Sequence, residues 1–127
     1  MKSTTEQEQV IKSDKGNLVV LAGPGSGKTY TVIEKILHLF NNGYVQEPFG
    51  VLAITFTNAA SNEMRSRLHS KGFRYWDRIF IGTYHSFGSY MLSCYGSDVG
   101  IQEDFKVASS DEQTEILAVI LQKYSGI

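Results

Sequence analysis

Apolar residues along this chain fall into two kinds of pattern. Leu18-Val19-Val20-Leu21 and Val51 to Phe56 are near-continuous runs, and Ile79-Phe80-Ile81 is a shorter one, the composition of strands buried on both faces. Between these runs apolar positions recur at helical spacing, as Val32, Ile33, Ile36, Leu37 and Phe40, then Ala60, Met64 and Leu68, then Phe87, Met91 and Tyr95. Polar punctuation sets the ends. Thr4 with Gln7, or Thr5 with Glu8, makes a capping box for a short helix to about Lys12, and Asn41-Asn42-Gly43 stops the next one. Asn58 caps a helix that closes at Lys71-Gly72, and His85 or Ser86 opens another that closes at Gly96. Phe105 to Ala108 reads as a short strand, and Ser110 with Gln113 as the capping box of a helix over Ile116 to Tyr124. Strand and helix alternate, which predicts an α/β fold with a parallel sheet and helical crossovers.

The first apolar run leads directly into Ala22-Gly23-Pro24-Gly25-Ser26-Gly27-Lys28-Thr29-Tyr30. Glycines at a strand-to-helix turn let successive backbone N–H groups converge on phosphate oxygens, and the new helix adds the positive end of its dipole at the same point. Lys28 places an ammonium on the outer phosphates, and the Thr29 hydroxyl is placed to ligate Mg²⁺. The strict phosphate-loop pattern has glycine where this chain has Ala22, a methyl group that still permits the turn. An ordinary glycine-rich turn is the bland alternative, and the strand before and the Lys-Thr pair after argue against it.

Charge and composition narrow the rest. With 127 residues, 42% of them hydrophobic and 20% charged, the chain has the composition of one globular domain. The residues after Met1 are polar, and the longest apolar run is Ile116 to Leu121, so neither a secretory leader nor a membrane span is expected. The single cysteine, Cys94, fits a reducing cytosol and is expected to be a packed core residue. A net charge of −1 excludes a bulk polycation. Arg65, Arg67, Lys71, Arg74 and Arg78 nevertheless lie close together against Glu63 and Asp77. Such a patch suits a nucleic-acid backbone, and on charge alone it suits a solvated helix face equally well.

In an open parallel sheet the carboxyl ends of the strands form the binding edge. That rule collects Ala22 to Thr29, Thr55-Phe56-Thr57-Asn58 and Gly82-Thr83-Tyr84-His85-Ser86 on one rim. In this order and spacing the segments resemble the UvrD/Rep/PcrA group of superfamily 1 DNA helicases. Ala22 to Thr29 is similar to helicase motif I, and Ile54 to Met64 to motif Ia, the family's T-F-T-N-K-A-A-x-E-M segment. Ile81 to Phe87 is similar to its G-T-F-H-S segment, and Gln7 to the adenine-reading glutamine ahead of motif I. Ala59 stands where the family commonly has lysine, and Tyr30 where it often has arginine.

The resemblance implies a P-loop NTPase of RecA-like, three-layer sandwich form, incomplete because no D-E acid pair and none of the later motifs follows Ser86. Residues 1–110 would be the amino-terminal part of that domain, and 111–127 a helix leading into an inserted helical subdomain. It further implies ATP and Mg²⁺ held by Gln7, Ala22, Gly23, Pro24, Gly25, Ser26, Gly27, Lys28, Thr29 and Tyr30. Lys28 and Thr29 take the catalytic roles, with Thr29 on the metal. Single-stranded DNA, with a 3′ tail in the family's 3′–5′ translocases, is expected against Thr55, Phe56, Thr57, Asn58, Thr83 and His85. Phe56 would stack on a base, although a core aromatic is an equal reading from the residue alone, as is a helix cap for His85. Cytoplasmic DNA repair, replication or recombination, together with the remaining helicase domains, is the implied setting. The piece by itself is expected to be inactive as a hydrolase. A small P-loop kinase or another NTPase is the alternative from a different reaction class, and a nucleotide-binding module without catalysis is a third.

Overall fold

The computed structural model describes residues 2–126, which divide into a unit ending at Ser89 and a second beginning at Tyr90. The first unit runs through α1 (Thr5–Lys12), α2 (Lys28–Asn41), β1 (Val51–Thr55), α3 (Asn58–Ser70), a single 3-10 turn (Trp76–Arg78), β2 (Ile79–Thr83) and the start of α4 (Tyr84–Tyr95). β1 and β2 are parallel, paired from Val51 opposite Ile79 to Thr55 opposite Thr83, with α3 as the crossover. The architecture is therefore mixed α/β on a two-stranded parallel sheet.

Local chemistry explains the element ends. α1 carries the first of the two capping boxes: the Gln7 N–H donates to Thr4 Oγ1 at 3.2 Å and the Thr4 N–H to Gln7 Oε1 at 2.9 Å. Its carbonyl end is met by Lys35 of α2, whose Nζ donates to Val10 O at 2.8 Å and to Ser13 O. Of the faces predicted from helical period, those of α2 and α3 pack, except that Val32 stays exposed. Ile33, Ile36 and Phe40 of α2 meet Met64 and Leu68 of α3, with Phe73 and Ile81 completing the core. Each fully buried aliphatic side chain contributes about 1.5–3 kcal/mol. Phe40, Phe73, Tyr75 and Trp76 form an aromatic cluster at one end. The Arg78 guanidinium lies 5.5 Å from the Phe40 ring centroid and donates to Val45 O, fixing the loop before β1.

Two expected strands are not formed. Leu18–Leu21 is irregular and open, with Val19 84% and Leu21 94% exposed. Phe105–Ala108 is irregular as well. Apolar composition states a preference for burial, but a strand exists only through a hydrogen-bonded neighbour, and among the described residues β1 and β2 pair with each other alone.

The second unit contains the rest of α4, a 3-10 turn (Gly96–Val99) and α5 (Ser110–Tyr124). The α5 cap is Ser109 with Glu112, one residue ahead of the expected pair. Neither α4 nor α5 buries a residue, and Cys94 is exposed rather than packed. Period tells which residues share a face; it does not say that anything covers that face. Cys94 accordingly faces solvent beside Tyr90, whose phenol it pushes up in pKa.

Candidate nucleotide-binding site

The turn ahead of α2 is built by two glycines in the left-handed region, Gly25 at φ +72° and Gly27 at φ +84°. Between them Ser26 folds the loop onto itself, its N–H and Oγ both donating to Gly23 O, at 3.3 and 2.6 Å. α1, α3 and α5 each begin at a hydroxyl cap, whereas α2 begins at Gly27 with no side-chain cap. Its first-turn N–H groups are thereby left for an external acceptor, and the helix dipole favours an anionic one. Gly23, Pro24, Gly25 and Ser26 are exposed; Ala22, Gly27 and Thr29 are half-buried. Lys28, the first residue of α2, is exposed, and Thr29 follows it in the same turn.

The structure brings Gln7 to this loop from far away in sequence. Gln7 Nε2 donates to Ser26 O at 3.2 Å, and a Cβ added at Gly27 would lie 2.7 Å from that nitrogen. The carboxamide thus bridges the α1 capping box and the loop, with one N–H and one oxygen lone pair left over. Beside it in α1, the Glu8 carboxyl is held below the usual carboxylate range, chiefly by its hydrogen bond from Lys12. Tyr30 is half-buried, its hydroxyl 3.1 Å from Ser3 Oγ and its ring 5.8 Å from the Lys71 ammonium, so it fastens the leading segment to α2. A cleft of about 870 Å³ opens beside the loop, lined by Thr4, Gln7, Leu21, Gly23 and Lys28 and floored by Val51 to Ile54 of β1. Its size is that of a small-molecule site, about 300–1,000 Å³.

The strand-end residues gather as expected, but their hydroxyls are largely engaged within the protein. Thr57 Oγ1 accepts from the Ala60 N–H at 3.1 Å, which makes Thr57, not Asn58, the cap of α3. Thr83 is buried, and its Oγ1 accepts from the Ser86 N–H at 3.2 Å. Thr55 Oγ1 donates to Thr57 O at 2.9 Å and bonds with Ser61 Oγ. Phe56, Asn58 and His85 are exposed, Phe56 to 94%, which removes the core-aromatic alternative for it. Tyr84, absent from the expected set, is 72% exposed between Thr83 and His85; the signal was its place in the G-T-F-H-S segment. α4 begins at this residue, one or two positions before the expected start. The basic run is mostly engaged elsewhere: Arg67 pairs with Glu63, Lys71 with Glu34, and Arg65 donates to Ile81 O and Asn62.

Comparison with known proteins gives one consistent result. A family model described as the UvrD/REP helicase N-terminal domain matches residues 3–126. The ATP-dependent DNA helicase PcrA of Staphylococcus aureus (strain Mu50) is 33% identical over 118 residues, 93% of this chain and 16% of the relative. DNA helicase II of Escherichia coli (strain K12) is 30% identical over 117 residues, 92% of this chain and 16% of the relative. The chain thus spans 16% of the length of these curated relatives.

Proposed function

The chain belongs to the UvrD/REP helicase N-terminal domain family, and on that premise we propose that it supplies the ATP-binding part of an ATP-dependent DNA helicase that moves along single-stranded DNA. The observation that carries this reading is the uncapped start of α2 at Gly27, with Lys28 exposed beside it and Gln7 drawn against the loop. The donor set fits a polyphosphate: backbone N–H groups, a helix dipole and the Lys28 ammonium belong to one turn, with Glu6 the carboxylate that lines the neighbouring cleft. It also fits Mg²⁺. Among the described residues no group of three or more His, Cys, Asp or Glu could cage a metal, whereas Mg²⁺ ordinarily takes a hydroxyl, waters and the phosphates themselves. When bound, the metal supplies charge neutralisation across the phosphates.

In this scheme Gln7 offers its spare N–H and lone pair to the adenine edge. Ala22, Gly23, Pro24, Gly25, Ser26 and Gly27 wrap the phosphates, Lys28 neutralises them, Thr29 holds the metal, and Tyr30 braces the helix. Leu18–Leu21 enters a larger parallel sheet when a further strand pairs at the free edge of β1, giving the RecA-like three-layer sandwich. Thr57 and Thr83 shape the rim as helix caps and Thr55 through its bonds to Thr57 O and Ser61 Oγ, while Phe56, Asn58 and His85 meet the single strand. Residues 111–127 lead into a further subdomain, translocation runs 3′–5′, and the full protein works in the cytoplasm.

Titration calorimetry with Mg²⁺–ATP tests the nucleotide half of this reading. Lys28→Ala removes the charge-assisted contact and should weaken binding by about 1.5–3 kcal/mol. Equal heats and affinities for the two chains would reject the assignment.

A further inference from the structure

Thr55 and Thr83 are the last paired residues of β1 and β2, so Phe56 and Tyr84 are the next residue of each neighbouring strand as it leaves the sheet. Both are aromatic and both are turned out to water, at 94% and 72% exposure. An aromatic with that exposure contributes little to folding, and these two follow directly on the paired ends of neighbouring strands. Adjacent strands lie about 4.8 Å apart, a separation that two bases of one flexible strand can bridge. The 13-residue α3 begins two residues after Phe56 and the 12-residue α4 begins at Tyr84 itself, capped by Thr57 and Thr83, and both direct their positive ends to the same rim.

We propose that Tyr84 is a second base-stacking residue of this rim, so that Phe56 and Tyr84 hold two consecutive bases of a single strand while their phosphates face the starts of α3 and α4. The inference rests on the single-strand reading given above and assigns to Tyr84 a role in it. Stacking is indifferent to base identity, so this pair sets grip rather than sequence choice.

The test is fluorescence anisotropy of a short labelled oligothymidylate with the whole chain at low salt. Tyr84→Ala should weaken binding by about 5- to 150-fold, the cost of one lost stack, and Phe56→Ala by a similar factor. Tyr84→Phe keeps the ring and should bind as the unsubstituted chain does. If Phe56→Ala weakens binding and Tyr84→Ala does not, this inference fails and the single-strand reading stands. If Tyr84→Phe is as weak as Tyr84→Ala, the hydroxyl acts and stacking by Tyr84 is wrong. If neither alanine variant loses affinity, or the unsubstituted chain does not bind, both readings fail together. Where Tyr84→Ala alters the far-UV spectrum, photocross-linking of a 5-iodouracil strand decides: an adduct on Tyr84 supports the stack, and adducts on Phe56 alone overturn it.

Discussion

Gly27 is the residue on which the candidate site turns, because two separate constraints meet there. Its φ of +84° costs a residue bearing a side chain about 1–2 kcal/mol, and its missing Cβ leaves the space that Gln7 Nε2 occupies. The two can be separated by substitution. Gly27→Ala should destabilise the chain by both effects, whereas in a Gln7→Ala background only the backbone cost of about 1–2 kcal/mol should remain. Urea unfolding of the four chains measures this, and an identical Gly27→Ala cost in both backgrounds would mean that the Gln7 carboxamide swings aside without a measurable cost. The same residue pair marks how far the sequence could be read. The loop was legible because its glycines, Lys28 and Thr29 are contiguous. Gln7 could be placed at the site only through family resemblance, since nothing local in its capping box points toward Ser26.

Between elements, the helices were legible, but the first residues of α3, α4 and α5 were not. Thr57 and Asn58 are both good caps, as are Ser109 and Ser110, so composition leaves the choice open and backbone direction decides it. Thr57→Ala should therefore cost about 1 kcal/mol of stability, within a range of 0.5–2, because the Ala60 N–H loses its acceptor. Asn58→Ala should cost no more than a few tenths, since alanine is the better residue inside a helix. Chemical denaturation of the two variants checks the order, and the reverse order would restore Asn58 as the cap. The strands divide differently. Val51–Thr55 and Ile79–Thr83 pair with each other and were legible from their apolar runs. Leu18–Leu21 has the same composition without a pairing neighbour, and helical period likewise placed Met91 and Tyr95 on one face of α4 without supplying anything to bury it.

At the scale of the molecule, the described residues include no helix long and apolar enough to cross a membrane. Their exposed apolar residues include the run before the phosphate loop, the rim aromatics, and Ile116, Leu117 and Ile120 of α5. The run before the loop has a consequence for handling the chain. Four uncharged, branched residues with open main-chain amides are a template for another copy, and the nearest charges, Lys15 and Lys28, lie outside the run. Colloidal behaviour, rather than folding free energy, should then set the working concentration of the purified chain. Light scattering should rise with concentration before any loss of helical signal. Val19→Lys, at a position already 84% exposed, should delay that rise without shifting the unfolding midpoint. Scattering that is unchanged by the lysine would move the origin of self-association to another surface.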